Sequence, residues 1–413
     1  MAADGGLFMP ENLPIIPKAF FNNISEMSLR EIAYVVMSTF FGDDFPGAEL
    51  KTIVDESFGT DIPLAKAGDF HIMELFHGPT LTFKDYGARF MARLVRAVDR
   101  RADYGHRKVL VATTGNTGAA TANGMHGLPG IDVYVLFPKG QISRARRSTF
   151  TSLGGNIHPV EVMGTIEDCK QLMQQALSDP DMGNLCLTGA NSINIGRLLP
   201  QVVFAFHAYA RLKAMGVPDA DKAIHSIPCG NLSNLVAAAM AMRMGLPMGG
   251  ILAATNSNDG LRRLLAAGTI AEPADSPVHT LAPGMDMAYP SGWPRLRKLL
   301  NDSGDQLAGR IHAAAPVDDK TIADTILEVN ADHSYLLDPH SAVAYAAARR
   351  EMIHAGPVLV YATGHPSAQL DTMTRITGAP LELPVQMTRF MKQNRHSVPI
   401  PPRYPALRKI LLS

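Results

Sequence analysis

The chain has 413 residues, 46% of them hydrophobic and 18% charged, with Lys+Arg and Asp+Glu both at 38. That supplies apolar material for two or three cores and excludes a tail or linker; balanced charge excludes a global pull toward nucleic acid or an anionic membrane, so any anion site must be local and the expected partners are small molecules. Only Cys169, Cys186 and Cys229 are present, with no CxxC pair and no HExxH, so neither a disulfide framework nor a metal site is indicated.

The opening stretch MAADGGLFMPENLP lacks a basic region followed by an apolar one. No later run approaches the roughly 18 apolar residues of a membrane span, and a cytoplasmic location is expected. Within the first 75 residues SLREIAYVVMSTFFG has apolar positions at helical spacing and reads as part of an N-terminal packing segment. In ELFHGPTLTFKDYGARFMARLVRAV (74–98), apolar residues at 86, 90, 91, 94, 95 and 98 mark a helix starting near Asp85. Lys84 then sits at a helix N-terminus, where a cation is disfavoured, and beside Phe83; both favour a neutral, reactive amine. By position alone a solvated lysine at a helix start reads equally well.

From residue 107 short β-rich runs alternate with amphipathic stretches, the pattern of βαβ units and a parallel sheet. RKVLVAT (107–113) reads as a strand, TGNTG as a turn, AATANGMHG as a helix, and IDVYVLF (131–137) and IHPVEV (157–162) as further strands. A second series begins near 222: KAIHSIP as a strand, CGNLSN as a turn, LVAAAMAMRMG as a helix, GGILAAT (249–255) as a strand. PVLVYAT (357–363) is a late strand that ends at Thr363, ahead of GHPSAQLDTM. Three strands thus end in polar, Gly-containing turns, where ligands bind in open α/β sheets. The Pro-rich tail from about 380 reads as an extended surface segment.

HGPTLTFKD resembles the lysine-bearing segment of bacterial threonine synthases, and it is joined in order by ATTGNTGAA, LFPKGQIS, ANSINIGRLLPQ, PCGNLSNL, AATNSND, MDMAYPSGWPR, DPHSAVAYAA and ATGHP. The resemblance runs from GLFMPENLP almost to the C-terminus. It implies an α/β protein of pyridoxal-5′-phosphate (PLP) fold type II, tryptophan-synthase-β-like, with two open parallel-sheet domains and an N-terminal helical segment. The boundaries expected are 1–75 for that segment, 76–104 with 201–413 for the large PLP-binding domain, and 105–200 for the small domain.

The activity implied is conversion of O-phospho-L-homoserine and water to L-threonine and phosphate, with Lys84 holding PLP and moving most protons. By the same resemblance Asn116 contacts the PLP 3′-oxygen, and Thr113, Thr114, Asn116 and Thr117 surround the substrate carboxylate and reacting end, Thr117 also helping to position the leaving phosphate. Gly230, Asn231, Leu232, Ser233 and Asn234 cradle the PLP phosphate, Thr363 meets the pyridine nitrogen, and Asn191, Ser192 and Arg197 bind the substrate phosphate. The partner implied is a small phosphorylated amino acid, with no nucleic acid, membrane or metal, and the protein is expected as a monomer or homodimer. Taken singly, each motif has a plainer reading: a generic Gly turn, a strand-end threonine, a capped helix start with an exposed arginine.

The chain departs from the family at several places. Ser233 replaces a glycine of the phosphate loop, so either the loop changes shape or the hydroxyl substitutes for a backbone contact. Cys229 replaces a serine and reads as a small buried residue. In PKGQISRARRS a family lysine is Gln141 and a family glutamine is Arg146; the Arg144, Arg146, Arg147 cluster reads first as a solvated helix face and second as a changed anion site. Family members carry a further N-terminal segment, and a site lacking that contribution is expected. Two other readings share these motifs: a paralogue performing another γ-elimination or replacement, and a PLP-binding homologue without catalysis.

Overall fold

The computed structural model describes residues 6–102, 105–191, 193–267, 277–287, 289–304, 307, 309–351 and 356–413. Among them lie strands β1 (Leu64–Ala67), β2 (Phe70–Glu74), β3 (Arg107–Ala112), β4 (Ile131–Pro138), β5 (Ile157–Val162), β6 (Leu187–Gly189), β7 (Ile224–Pro228), β8 (Gly250–Ala254), β9 (Ile311–Ala313), β10 (Val358–Ala362) and β11 (Val398–Ile400). They form two sheets, β1-β2-β10-β7-β8-β9 and β11-β5-β4-β3-β6. Every pairing is parallel except the β1–β2 hairpin.

The chain divides into two compact units, Met1–His77 with Leu198–Pro380, and Gly78–Arg197 with Leu381–Ser413. The second departs from the boundaries expected. It takes in the helix Lys84–Ala102, whose Met91 and Ala92 pack with Val109, Val111, Val133, Val135 and Phe150 on one face of the five-stranded sheet. On the other face Leu110, Ala112, Leu136 and Val160 meet Cys169 and Leu172, and also Leu407 and Leu411 of the C-terminal helix Tyr404–Leu412. Successive residues of β3 alternate between these two cores, which is why RKVLVA is apolar without interruption at its end.

The Pro-rich tail is therefore not merely extended over the surface. It supplies β11, in register with β5 from Val398↔Val160 to Ile400↔Val162, and the helix that covers the sheet. Pro399 is tolerated because β11 is an edge strand, and the Ile400 carbonyl rather than a Pro399 N–H meets the chain after β5, accepting from Met163 at 2.9 Å.

In the larger unit SLREIAYVVMSTFFG forms the expected helix, Leu29–Phe41, opened by a capping box of Ser28 and Glu31. Met37, Met73, Met240, Met244 and Met373 are wholly buried, as core filler would be. All three cysteines are free. No group of metal-ligating side chains and no helix long and apolar enough to cross a membrane occurs among the described residues.

Candidate active site

Residues 78–85 fold back onto the start of their own helix. The Thr80 backbone N–H donates to Asp85 Oδ2 at 2.8 Å and the Thr80 hydroxyl to Asp85 Oδ1 at 2.6 Å. Leu81, buried, takes a left-handed backbone (φ 59°) to make this turn. Lys84 is the first helical residue, with Nζ 5.9 Å from the Phe83 ring centroid. Burial, then the Arg197 and Arg146 guanidiniums, push its amine down to about 7. Asp85 is pushed up to about 6 by burial, against the Thr80 hydrogen bonds and the charges of Arg146 and Arg89. The buried Thr82 hydroxyl has no hydrogen-bond partner among the described residues. On the helix itself Tyr86, Phe90 and Met91 are buried as the spacing required, but Val98 is 42% exposed and the apolar stripe stops a turn early.

The turn after β3 is clasped by Thr113. Its Oγ1 accepts from the N–H groups of Gly115 and Gly118, each at 2.9 Å, so its lone pairs serve the turn and its proton alone remains to donate. Gly115 has φ 137°, and a Cβ there would fall 2.6 Å from Arg146 Cγ. The helix begins at Asn116, three residues earlier than TGNTG as a whole turn allows, which places half-buried Asn116 and Thr117 in its first turn; Thr114 is exposed.

Arg197 is 4% exposed, and its Nη1 donates to the Ala190 carbonyl at 2.7 Å. That burial disposes of the exposed arginine beside a capped helix. Asn191 donates to the Ala112 carbonyl at 3.3 Å, while its buried Oδ1 has no partner among the described residues. Ser192 lies outside the described residues.

Arg146 corrects the first reading of the arginine cluster. Arg144 is exposed and Arg147 pairs with Glu161 at 3.2 Å, but Arg146 is 4% exposed and donates from Nη1 to the Thr80 carbonyl at 2.8 Å. A helical signal was present: positions 146, 149 and 150 share a face, and Phe150 is fully buried. Burial lowers both the Arg146 and Arg197 guanidiniums to about 10, with Asp85 acting in the opposite direction. Arg146 and Arg197 thus share one buried carboxylate, Asp85, and both act on Lys84, an excess of positive charge that favours an anionic ligand.

The larger unit carries the loop after β7. Gly230 is required by close approach: a Cβ would lie 2.6 Å from the Gly284 carbonyl oxygen. Asn231 accepts from the Gly292 N–H at 3.1 Å. The residue with positive φ is Leu232 (φ 73°, ψ 8°), and Ser233 is the first residue of the helix Ser233–Arg243. The expected strain at Ser233 therefore falls one residue earlier. Asn234, 5% exposed, has an Oδ1 without a partner among the described residues. Cys229 is buried and its thiol is pushed up to about 12, which suits packing and not nucleophilic attack. Thr363, 8% exposed, follows β10.

Residues 64–364 match the family model for pyridoxal-phosphate dependent enzymes, and residues 1–58 match the model for the threonine synthase N terminus. The threonine synthase of Serratia marcescens is 36% identical over 409 residues, covering 98% of this chain and 93% of that protein. The chain belongs to the threonine synthase family. The crystal structure of threonine synthase from Escherichia coli superposes with a TM-score of 0.89 at 34% identity, over 100% of this chain and 94% of that one. PLP-bound threonine synthase from Brucella melitensis gives 0.89 at 30% identity, over 99% and 93%.

The donors in this threonine synthase family member fit PLP. A partly neutral amine at Lys84 suits an aldehyde, a helix N-terminus at Ser233 with a glycine cradle before it suits a phosphate, and the neutral Thr363 hydroxyl suits a pyridine nitrogen that is not protonated. Motif reading placed Arg146 first on a solvated helix face and second in a changed anion site, and left the Asp338–His340 pair of DPHSAVAYAA without a role.

Proposed function

We propose that the protein converts O-phospho-L-homoserine and water to L-threonine and phosphate with Lys84 as its central acid–base group. The observation that carries this reading is a Lys84 amine lowered to about 7 by burial and by Arg197 and Arg146. Bound PLP supplies an electron sink for the carbanion formed at the substrate α-carbon. Lys84 would hold the cofactor aldehyde; its amine takes the proton from Cα and the proton leaving Cβ as phosphate departs from Cγ. It returns protons to Cγ, which becomes the methyl group, and to Cα, while water adds its hydroxyl at Cβ and its remaining proton goes to the released phosphate.

In the same reading Arg197 holds the substrate phosphate through its forked donors, with Asn191 and Ser192 as neutral partners. Thr114, Asn116 and Thr117, from a helix N-terminus, receive the carboxylate, and Thr113 contributes through the turn it clasps. Asn116 also reaches the PLP 3′-oxygen, and Thr117 positions the departing phosphate. Gly230, Asn231, Leu232, Ser233 and Asn234 hold the PLP phosphate, while Thr363 hydrogen-bonds the ring nitrogen. The enzyme acts in the cytoplasm as a monomer or homodimer, without a nucleic-acid partner.

The test is purified protein with O-phosphohomoserine, inorganic phosphate and amino-acid products being measured together. Equimolar threonine and phosphate are expected. Phosphate released with 2-oxobutyrate, or faster turnover of unphosphorylated homoserine, overturns the reading.

A further inference from the structure

We propose that His340, oriented by Asp338, is a positioning residue for the cofactor-phosphate loop, acting through Gly284. The inference rests on the reading that Gly230–Asn234 receives the phosphate of PLP, and it adds what holds that loop in place.

Asp338 precedes the helix Pro339–Glu351 and caps it: Oδ1 accepts from the Ser341 N–H at 3.0 Å and from the Ser341 hydroxyl, while Pro339 in the first helical position has no N–H to satisfy. The other carboxylate oxygen, Oδ2, lies 2.7 Å from His340 Nδ1. On the far side of the ring Nε2 accepts the Gly284 N–H at 3.1 Å. Nδ1 also lies 3.0 Å from Gln369 Nε2, an amide group that competes with the carboxylate for this nitrogen; the shorter contact to the charged Asp338, together with the Gly284 N–H aimed at Nε2, selects the tautomer with its proton on Nδ1.

Gly284 packs directly against this ring. A Cβ at 284 would sit 2.6 Å from His340 Nε2, and a Cβ at Gly230 would sit 2.6 Å from the Gly284 oxygen and 3.0 Å from Met285 Cα. Ring, Gly284 and Gly230 are therefore in direct succession, with glycine at both backbone contacts. Asp338 is 2% exposed and its two oxygens are divided between the helix cap and the ring. A phosphate held by backbone N–H groups depends on where those groups point, so a partner that fixes the loop raises phosphate affinity without touching the phosphate.

The proposal separates from general packing because it concerns only the phosphate end of the cofactor. Full-length protein resolved of cofactor is titrated with PLP and, separately, with pyridoxal, which lacks the phosphate. His340→Leu removes the acceptor for Gly284. Asp338→Asn keeps the ring but offers one acceptor where two are needed; an amide N–H facing Nδ1 moves the ring proton to Nε2, against the Gly284 N–H. Each variant is expected to weaken PLP about tenfold and leave pyridoxal binding unchanged. His340→Gln, whose amide oxygen can accept from Gly284, is expected to recover most of the PLP affinity. Equal losses for PLP and pyridoxal, no loss, or a glutamine variant no better than leucine overturns the proposal. Wild-type protein binding PLP and pyridoxal alike instead refutes the phosphate-loop reading itself, and the proposal with it. Should His340→Leu fail to fold, Asp338→Asn with its ring intact separates the same outcomes.

Discussion

The two units present anion-binding equipment of opposite kinds. Around Lys84 it is charge: Arg146 and Arg197, both buried, share a single carboxylate, Asp85, and both lower the lysine amine. After β7 it is neutral backbone: Gly230, Asn231, left-handed Leu232 and the start of the Ser233–Arg243 helix, with no acidic residue in the first turn and its one basic residue, Arg243, in the last. Backbone N–H groups hold an anion with little dependence on pH, whereas clustered cations also retune each other and their lysine. In the proposed reaction that division is apt. A cofactor phosphate that stays needs a fixed cup, and a substrate phosphate that leaves needs charge that develops with it.

The comparison breaks most sharply at Lys84. Lys84→Ala is expected to lower kcat on the order of ten-thousandfold, because it removes both the cofactor attachment and the proton carrier. Borohydride reduction of the holoenzyme followed by peptide mapping checks the assignment; a label on another lysine refutes it. Arg197→Ala comes next. Loss of a charge-assisted pair costs about 1.5–3 kcal/mol, roughly ten- to a hundredfold in kcat/KM, while PLP stays bound. If the variant keeps wild-type kcat/KM for O-phosphohomoserine, the charged site is not the substrate-phosphate site.

Much of this was legible in the sequence, for reasons that can be located. PVLVYAT and GGILAAT read as strands because buried parallel strands are apolar runs bounded by turns, and Lys84 read as a helix start because Tyr86, Phe90 and Met91 keep the period. What escaped depends on contacts distant in sequence. The tail gave no periodic signal for β11, a three-residue strand containing proline whose existence is set by the edge of β5. Arg146 was hidden because a charged side chain is assigned to solvent unless a buried partner is known, and that partner, the Thr80 carbonyl, is 66 residues away. Leu232 takes the positive φ expected of its neighbour because the helix already begins at Ser233, which leaves the left-handed residue of the turn one position earlier.

The charge coupling can be sharpened through pH. Recombination of cofactor-free protein with PLP requires the neutral Lys84 amine, so its rate should rise with pH through about 7 and level off above. Arg146→Gln removes a neighbouring cation, which favours the protonated amine and raises its pKa; the profile must therefore move to higher pH. A fall of about two- to tenfold in kcat/KM at neutral pH accompanies the shift. An unmoved profile means that Arg146 braces Thr80 and nothing more.

The smallest effect belongs to the neutral cup. Ser233 departs from the glycine of related loops, yet it is the first helical residue and the residue with left-handed backbone is Leu232. Ser233→Gly consequently relieves no strain. Being half-buried at a helix start, the position also gives glycine little of the penalty it meets in a helix interior. PLP affinity should stay within about twofold of wild type, less than the free energy of one hydrogen bond. Phosphate-dependent loss of about tenfold, seen with PLP and absent with pyridoxal, would instead assign the Ser233 hydroxyl as a phosphate ligand. In that case the cup is not built from backbone alone, and the contrast between the two regions narrows to the presence or absence of full charge.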